Sequence, residues 1–226
     1  MQTLTKTLPN YQDYLNQWKS ATWEEYLIIA DTPDEKKIKL YYYQNEILTE
    51  MGKEGINHAS VNQLITLVFG FWFSQNPEQI YSLLGGCLLE KPKIASAAPD
   101  LVLYLGENYP KWTPGERRYL NLDKWGVPNL VGEISDTTLP KDLDEKKHLY
   151  ASLKIPEYWV IDVFANRVFC FQLQENNQYQ QCDISLALTG LPISLLEQAL
   201  TRLETESNGS VANWFLEQIA NLKQEN

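Results

Sequence analysis

Between Ala98 and Val163 three short apolar runs, LVLYL, LVGEIS and EYWVIDV, are set apart by one long polar insertion and one charged segment. LVLYL is too continuously apolar for a strand with one wet face, so both of its faces must be covered. Gly132 inside LVGEIS implies close backbone approach at that strand. Before the third run, residues 142–153 have helical spacing, with Leu143, Tyr150 and Leu153 facing inward, and Pro156 blocks continuation. EYWVIDV and RVFCFQL then form a hairpin around 164–166 at one side of the sheet. Buried strands interleaved with a helix call for an α/β class in which a mixed β-sheet is flanked by helices.

The flanks extend this plan. Residues 1–21 are polar with scattered aromatics and read as a loose lead-in. Thr22 and Glu25 form a capping-box pattern for a helix, and a charged turn follows over 31–37. IKLYYYQNEILTEM reads as two strands joined through Gln44 and Asn45, an edge hairpin. A helix starts near Asn57 with His58 in its first turn and ends before Pro77; a strand over 80–84 precedes the Gly85–Gly86 turn, and 91–98 is a loop. The core thus occupies 22–190. Beyond it, 191–226 holds two amphipathic helices, an extension that packs on the core or mediates self-association.

A net charge of -10 argues against broad adhesion to nucleic acid or an anionic membrane, while leaving room for a local basic patch or a metal-bridged phosphate contact. Cys87, Cys170 and Cys182 are widely spaced without a CxxC; they read as isolated thiols, and a cytoplasmic location follows as the default. The N-terminus lacks the pattern of a signal peptide, and no run approaches the ~18 apolar residues of a spanning helix, so no membrane partner is expected.

The chemistry-bearing residues lie in the same central stretch. Asp100 opens one buried strand and Glu133 sits within another. If those strands are neighbours, the two carboxylates converge on one hard cation, Mg²⁺ or Mn²⁺, with water and phosphate oxygens completing its sphere. Asp142, Lys146 and Tyr150 are four apart and share a helical face, which makes Lys146 the candidate to orient a nucleophile or neutralise charge, with Lys147 in reserve. Taken singly, Pro99–Asp100 also reads as the end of a loop with a turn-capping acid, and Asp142 with Lys146 as a solvated salt bridge. His58 reads as a helix-capping or packing residue, with a phosphate or ligand contact as the alternative. No Cys or His stands at zinc spacing from His148, and neither GxSxG nor a glycine-rich phosphate loop is present. In the insertion, Tyr109, Trp112, Arg117, Arg118, Tyr119, Lys124 and Trp125 suit either a DNA contact or a cover over the core.

In order, PD at 99–100, LVGEISDTTL at 130–139 and DLDEKKHLYASLKIPEYWVID at 142–162 resemble the Uma2 family of restriction-endonuclease-like proteins, which is abundant in cyanobacteria and belongs to the PD-(D/E)XK nuclease superfamily. EGINH at 54–58 is also similar, so the resemblance covers roughly residues 22–190. It implies a restriction-endonuclease-like fold, Asp100 and Glu133 as magnesium ligands, and Lys146 in the role of the superfamily lysine, since Ser135 stands two residues beyond the second acid. Glu54, His58 and Tyr150 are the accessory candidates. The implied activity is Mg²⁺- or Mn²⁺-dependent hydrolysis of DNA phosphodiesters, with a homodimer on duplex DNA. Two departures favour a competing expectation, an inactive nuclease-like module that binds nucleic acid or protein. Lys37 to Leu40 replaces a common Arg-x-Glu-Leu pattern, leaving Glu46, Glu50 or Glu54 to compensate, and Asn129 replaces an acid.

Overall fold

The computed structural model describes residues 9–32, 38–52 and 54–222; the first eight residues of the expected lead-in and the expected turn from 33 onward lie outside them. After a 3-10 turn at Tyr11–Tyr14 the chain forms β1 (Lys19–Ser20), α1 (Trp23–Asp31), β2 (Ile38–Tyr43), β3 (Glu46–Met51) and α2 (Ile56–Ser74). Next come β4 (Tyr81–Leu84), β5 (Leu89–Lys91), β6 (Ala95–Ala97), β7 (Leu101–Leu105), β8 (Leu120–Asn121), α3 (Leu122–Trp125) and β9 (Leu130–Ser135). The chain closes with α4 (Leu139–Leu143), α5 (Glu145–Ser152), β10 (Glu157–Asp162), β11 (Arg167–Leu173), β12 (Tyr179–Cys182), α6 (Ile193–Leu203) and α7 (Asn208–Leu222).

Local chemistry explains several of these boundaries. Thr22 Oγ1 accepts from Glu25 N–H and the Glu25 carboxylate accepts from Thr22 N–H, so α1 begins with a complete capping box. Gln44 and Asn45 both adopt positive φ, the conformation that turns β2 tightly into β3. The helical segment expected over 142–153 is broken at Asp144 into α4 and α5.

The strands form two mixed six-stranded sheets, β1-β3-β2-β6-β5-β8 and β12-β11-β10-β9-β7-β4. In the second, β9 pairs parallel with β10 and antiparallel with β7. The α4–α5 unit makes the crossover that parallel neighbours require. Alternation then assigns the faces. Tyr41 and Leu48 of the first sheet meet Val102, Val131, Tyr158 and Val160 of the second, with Leu149 and Tyr150 of α5, in one core between the sheets. Leu101, Leu103, Leu130, Ile134 and Trp159 pack on α2, α6 and α7, and Leu40, Tyr42 and Ile47 pack on α1. LVLYL is covered on both faces, as its composition requires.

Four expectations are corrected. The described part of the lead-in is docked: Tyr14 is buried, β1 pairs with β3, Asn16 N–H donates to Thr49 O, and Trp18 Nε1 donates to Glu145 across 2.7 Å. The β2–β3 hairpin is flanked by β1 and β6, not placed at an edge. The stretch 91–98 contains β6, paired with β2 and β5. Cys170 and Cys182 are cross-strand partners with their sulfurs 3.3 Å apart.

Gly132 faces Leu101 across the β7–β9 pair, and a Cβ there would stand 3.0 Å from Leu101 Cδ1. Gly132→Val should therefore lower stability by about 1–3 kcal/mol through overpacking, read as a lower urea midpoint at unchanged m; an unchanged midpoint would show that the pair has slack.

Candidate metal centre

Period-two alternation brings charge into the core between the sheets. Lys39 and Tyr41 on β2, and Leu48 and Glu50 on β3, face the second sheet, with Lys39 directly opposite Glu50 in the ladder. From the second sheet, Asp100 just before β7 and Glu133 on β9 point into the same space, since Val102 and Val131 share their parity and line that core. The α4–α5 unit adds Asp142, Lys146 and Tyr150, and His58 enters from the first turn of α2. Of the expected site residues, Glu54, His58, Glu133 and Lys146 line one cleft of about 300 Å³ together with Lys39 and Glu50; Asp100 and Tyr150 stand behind this lining, Asp100 against His58 and Lys39 and Tyr150 against Glu133.

Asp100 is fixed on both oxygens. Ile134 N–H donates to Oδ2 across 2.9 Å, His58 Nε2 lies 3.2 Å from the same oxygen, and Lys39 Nζ lies 2.5 Å from Oδ1. Close passage of Gly85, whose Cβ would stand 3.1 Å from the Asp100 carbonyl, holds the backbone there. Glu133 Oε1 accepts from Tyr150 OH at 2.6 Å and Tyr41 OH at 3.5 Å, and its Oε2 lies 3.7 Å from Lys39 Nζ. Lys146 pairs with Glu50 and Asp142, both at 2.9 Å, with Glu133 Oε1 at 3.8 Å, and its ammonium lies 4.6 Å above the Tyr41 ring. Its side chain is 1% exposed, whereas that of Lys39 is 18% exposed.

Lys39, Glu50, Glu54 and His58 carry more of this geometry than the sequence suggested. Lys39 appeared there as a departure from a pattern, yet its ammonium bridges Asp100 and Glu133. Of the acids weighed as compensation, Glu50 and Glu54 reach the cleft. His58 is not a cap: its ring stands between Glu54, 3.2 Å from Nδ1, and Asp100, so packing alone does not describe it. Asn129 works at strand pairing, its Oδ1 accepting from Leu105 N–H at 2.8 Å. The insertion divides by residue. Arg117 binds Asp31 and the buried Glu90, while Arg118 stacks over the exposed Trp112.

The electrostatics follow from the burial. Asp100, Glu133, Glu50 and Asp142 are four buried carboxylates facing two lysines and one histidine. Burial opposes ionisation of Asp100, but His58 and Lys39 overcome it and hold its pKa far below the ordinary range. For Glu133 burial wins over Lys146 and Lys39, and its pKa is pushed up to about 8. Burial also opposes charge on His58 and on Lys39, yet the adjoining carboxylates raise both pKa values. In the metal-free protein this favours the protonated form of Glu133, which relieves the acidic excess.

Among the described residues, Glu54, His58 and Asp100 can offer one nitrogen and two oxygens lying within 4.8 Å of one another, a set that can hold a divalent ion. Glu133 is outside that group, separated from a shared cation with Asp100 by Lys39. Glu50 Oε1 is buried without a hydrogen bond, which leaves a carboxylate oxygen available at the same cleft. A donor set rich in carboxylate oxygen fits Mg²⁺ or Mn²⁺.

A family model described as "Uma2: Putative restriction endonuclease" matches residues 23–206. A crystal structure described as "a putative nuclease belonging to DUF820", from Anabaena variabilis, superposes with a TM-score of 0.53 at 17% identity, over 79% of this chain and 98% of that one. At that identity the likeness establishes the fold, α/β and restriction-endonuclease-like. No match is found among curated proteins. Among the described residues, no helix is long and apolar enough to cross a membrane.

The raised pKa of Glu133 has a measurable signature. The unfolded chain releases this proton near the ordinary value of 4.5, while the fold keeps it until about 8. Between those values the folded state binds more protons, so this residue costs stability as pH rises, by at most about 1.4 kcal/mol per unit. Metal-free Glu133→Gln lacks that proton release. Urea denaturation should place it level with the wild type at pH 5 and above it at pH 7.5; a gap that does not change with pH would contradict the assigned shift.

Proposed function

The chain belongs to the Uma2 family, and on that premise we propose that it is an Mg²⁺- or Mn²⁺-dependent endonuclease that hydrolyses DNA phosphodiester bonds. The observation that carries this reading is that Glu54, His58 and Asp100 offer ligand atoms within 4.8 Å of one another, with Glu133 reached from Asp100 through Lys39, and that Glu54, His58 and Glu133 line one cleft. A divalent ion bound there would polarise a phosphoryl oxygen and lower the pKa of a water.

The protein's own groups supply orientation and charge. The Ile134 N–H and His58 fix the plane of the Asp100 carboxylate before any ligand arrives. Tyr150 holds Glu133 Oε1 and leaves Oε2 toward the cation seat. In the metal-free protein Asp100 and Glu54 favour the proton on His58, and a cation taken by one of its ring nitrogens would displace that proton. The near-complete burial of Lys146 between Glu50 and Asp142 supports the charge-stabilising half of the role expected of it, through its position 3.8 Å from Glu133. Two copies, one for each strand, would suit a duplex substrate.

A second reading, a nuclease-like module that binds nucleic acid or protein without cutting, is favoured by Lys39 standing in the Asp100–Glu133 seat. Plasmid and single-stranded DNA incubated with Mn²⁺ separate the two readings. The nuclease reading expects cleavage that falls at least about 100-fold in Asp100→Ala/Glu133→Ala of matched folded content. Binding of DNA with no cleavage of either substrate in Mg²⁺ or Mn²⁺ would favour the second.

A further inference from the structure

Lys39 and Lys146 hold very different positions at one acidic cluster. Lys146 is enclosed: two carboxylates lie 2.9 Å from its ammonium, the Tyr41 ring lies under it, and its side chain is 1% exposed. Lys39 lines the cleft, with 18% of its side chain exposed and its ammonium between Asp100 Oδ1 and Glu133 Oε2. Asp100 Oδ2 is already committed to Ile134 N–H and His58. A divalent ion shared by Asp100 and Glu133 therefore needs the oxygen that Lys39 holds. Two cations cannot share that oxygen at contact distance without strong repulsion. A lysine stem has four rotatable carbons, and beside an open cleft its ammonium can swing into water.

We propose that Lys39 is a tethered competitor for the divalent ion: its ammonium fills the Asp100–Glu133 seat in the resting protein and must swing outward before a metal can enter. This rests on the metal-dependent reading above. It adds that metal affinity is set by the displacement of one side chain, and that an anion able to draw the freed ammonium outward, such as a DNA phosphate, would ease loading. The Lys39–Glu50 pairing across β2 and β3 fixes where that side chain starts, so the competition is built into the hairpin.

The test is calorimetric titration of Mn²⁺ alone into wild type, Lys39→Met and Lys39→Arg at one pH, with folded content matched by circular dichroism. Lys39→Met, of similar length and uncharged, should bind Mn²⁺ at least about tenfold more tightly than wild type. Lys39→Arg keeps a cation and should bind no more tightly. Mn²⁺ should also raise the melting temperature of Lys39→Met more than that of wild type. If Lys39→Met fails to fold, Lys39→Gln takes its place with the same expectation. Equal or weaker binding in the neutral variant, with wild-type binding intact, would overturn the competition and leave the metal-dependent reading standing. Absence of Mn²⁺ binding in every variant would overturn both.

Discussion

A buried network of lysines and carboxyl groups joins the two sheets, and the placement of the candidate site depends on it. Lys39 and Glu50 come from the first sheet, Asp100 and Glu133 from the second, and Asp142 and Lys146 from the crossover between β9 and β10. Each charge is expensive to bury alone, and removal of one partner leaves the others uncompensated. Apolar packing above and below could tolerate small slips between the sheets. The ion pairs require one relative placement, in which Lys39 lies 2.5 Å from Asp100 and 3.7 Å from Glu133, and Lys146 lies 2.9 Å from Glu50 and Asp142. Such a network is weak evidence for net stability.

The surrounding structure serves the same placement. Tyr41, Tyr150 and Tyr158 wall the network with rings, and all three hydroxyls have partners: Tyr41 reaches Ala98 O and Glu133, Tyr150 holds Glu133, and Tyr158 donates to Asp142 O. On the far side of the second sheet, buried Glu157 accepts from Trp159 Nε1, Ser185 Oγ and Ala187 N–H, tying β10 to the segment that leads into α6. The N-terminal segment closes the other end, with Lys141 Nζ donating to Asn16 O and Trp18 reaching Glu145. These contacts hold α4 and α5 against the sheet end, and with them Lys146.

Features governed by neighbours in sequence were legible in it. The Thr22 capping box, the Gln44–Asn45 turn, the Asp142–Lys146 pair and the doubly covered LVLYL strand each follow from spacing or composition, although the helix expected to carry that pair is broken between them at Asp144. Features set by distant partners were not. The hairpin at 38–51 looked like an edge because nothing local announces that β1 and β6 will flank it. Strand β6 is Ala-Ser-Ala, of weak β propensity, and only its two neighbours make it a strand. The inward direction of Lys39 is hidden for a related reason: with IKLYYY covered on both faces, its alternation gives no contrast between an inward and an outward lysine. The clue was its shared parity with Tyr41, which becomes informative once Asp100 and Glu133 are known to lie opposite.

The proposed function requires Asp100 and Glu133 to share a divalent cation. Anomalous diffraction from crystals grown with Mn²⁺, recorded at the manganese edge, addresses it most directly. One anomalous peak is expected at the cleft, about 2.0–2.3 Å from an oxygen of each of these two carboxylates, with the Lys39 ammonium moved away from Asp100. A crystal saturated with Mn²⁺ in which Lys39 still bridges the two acids, with no peak beside them, would contradict it.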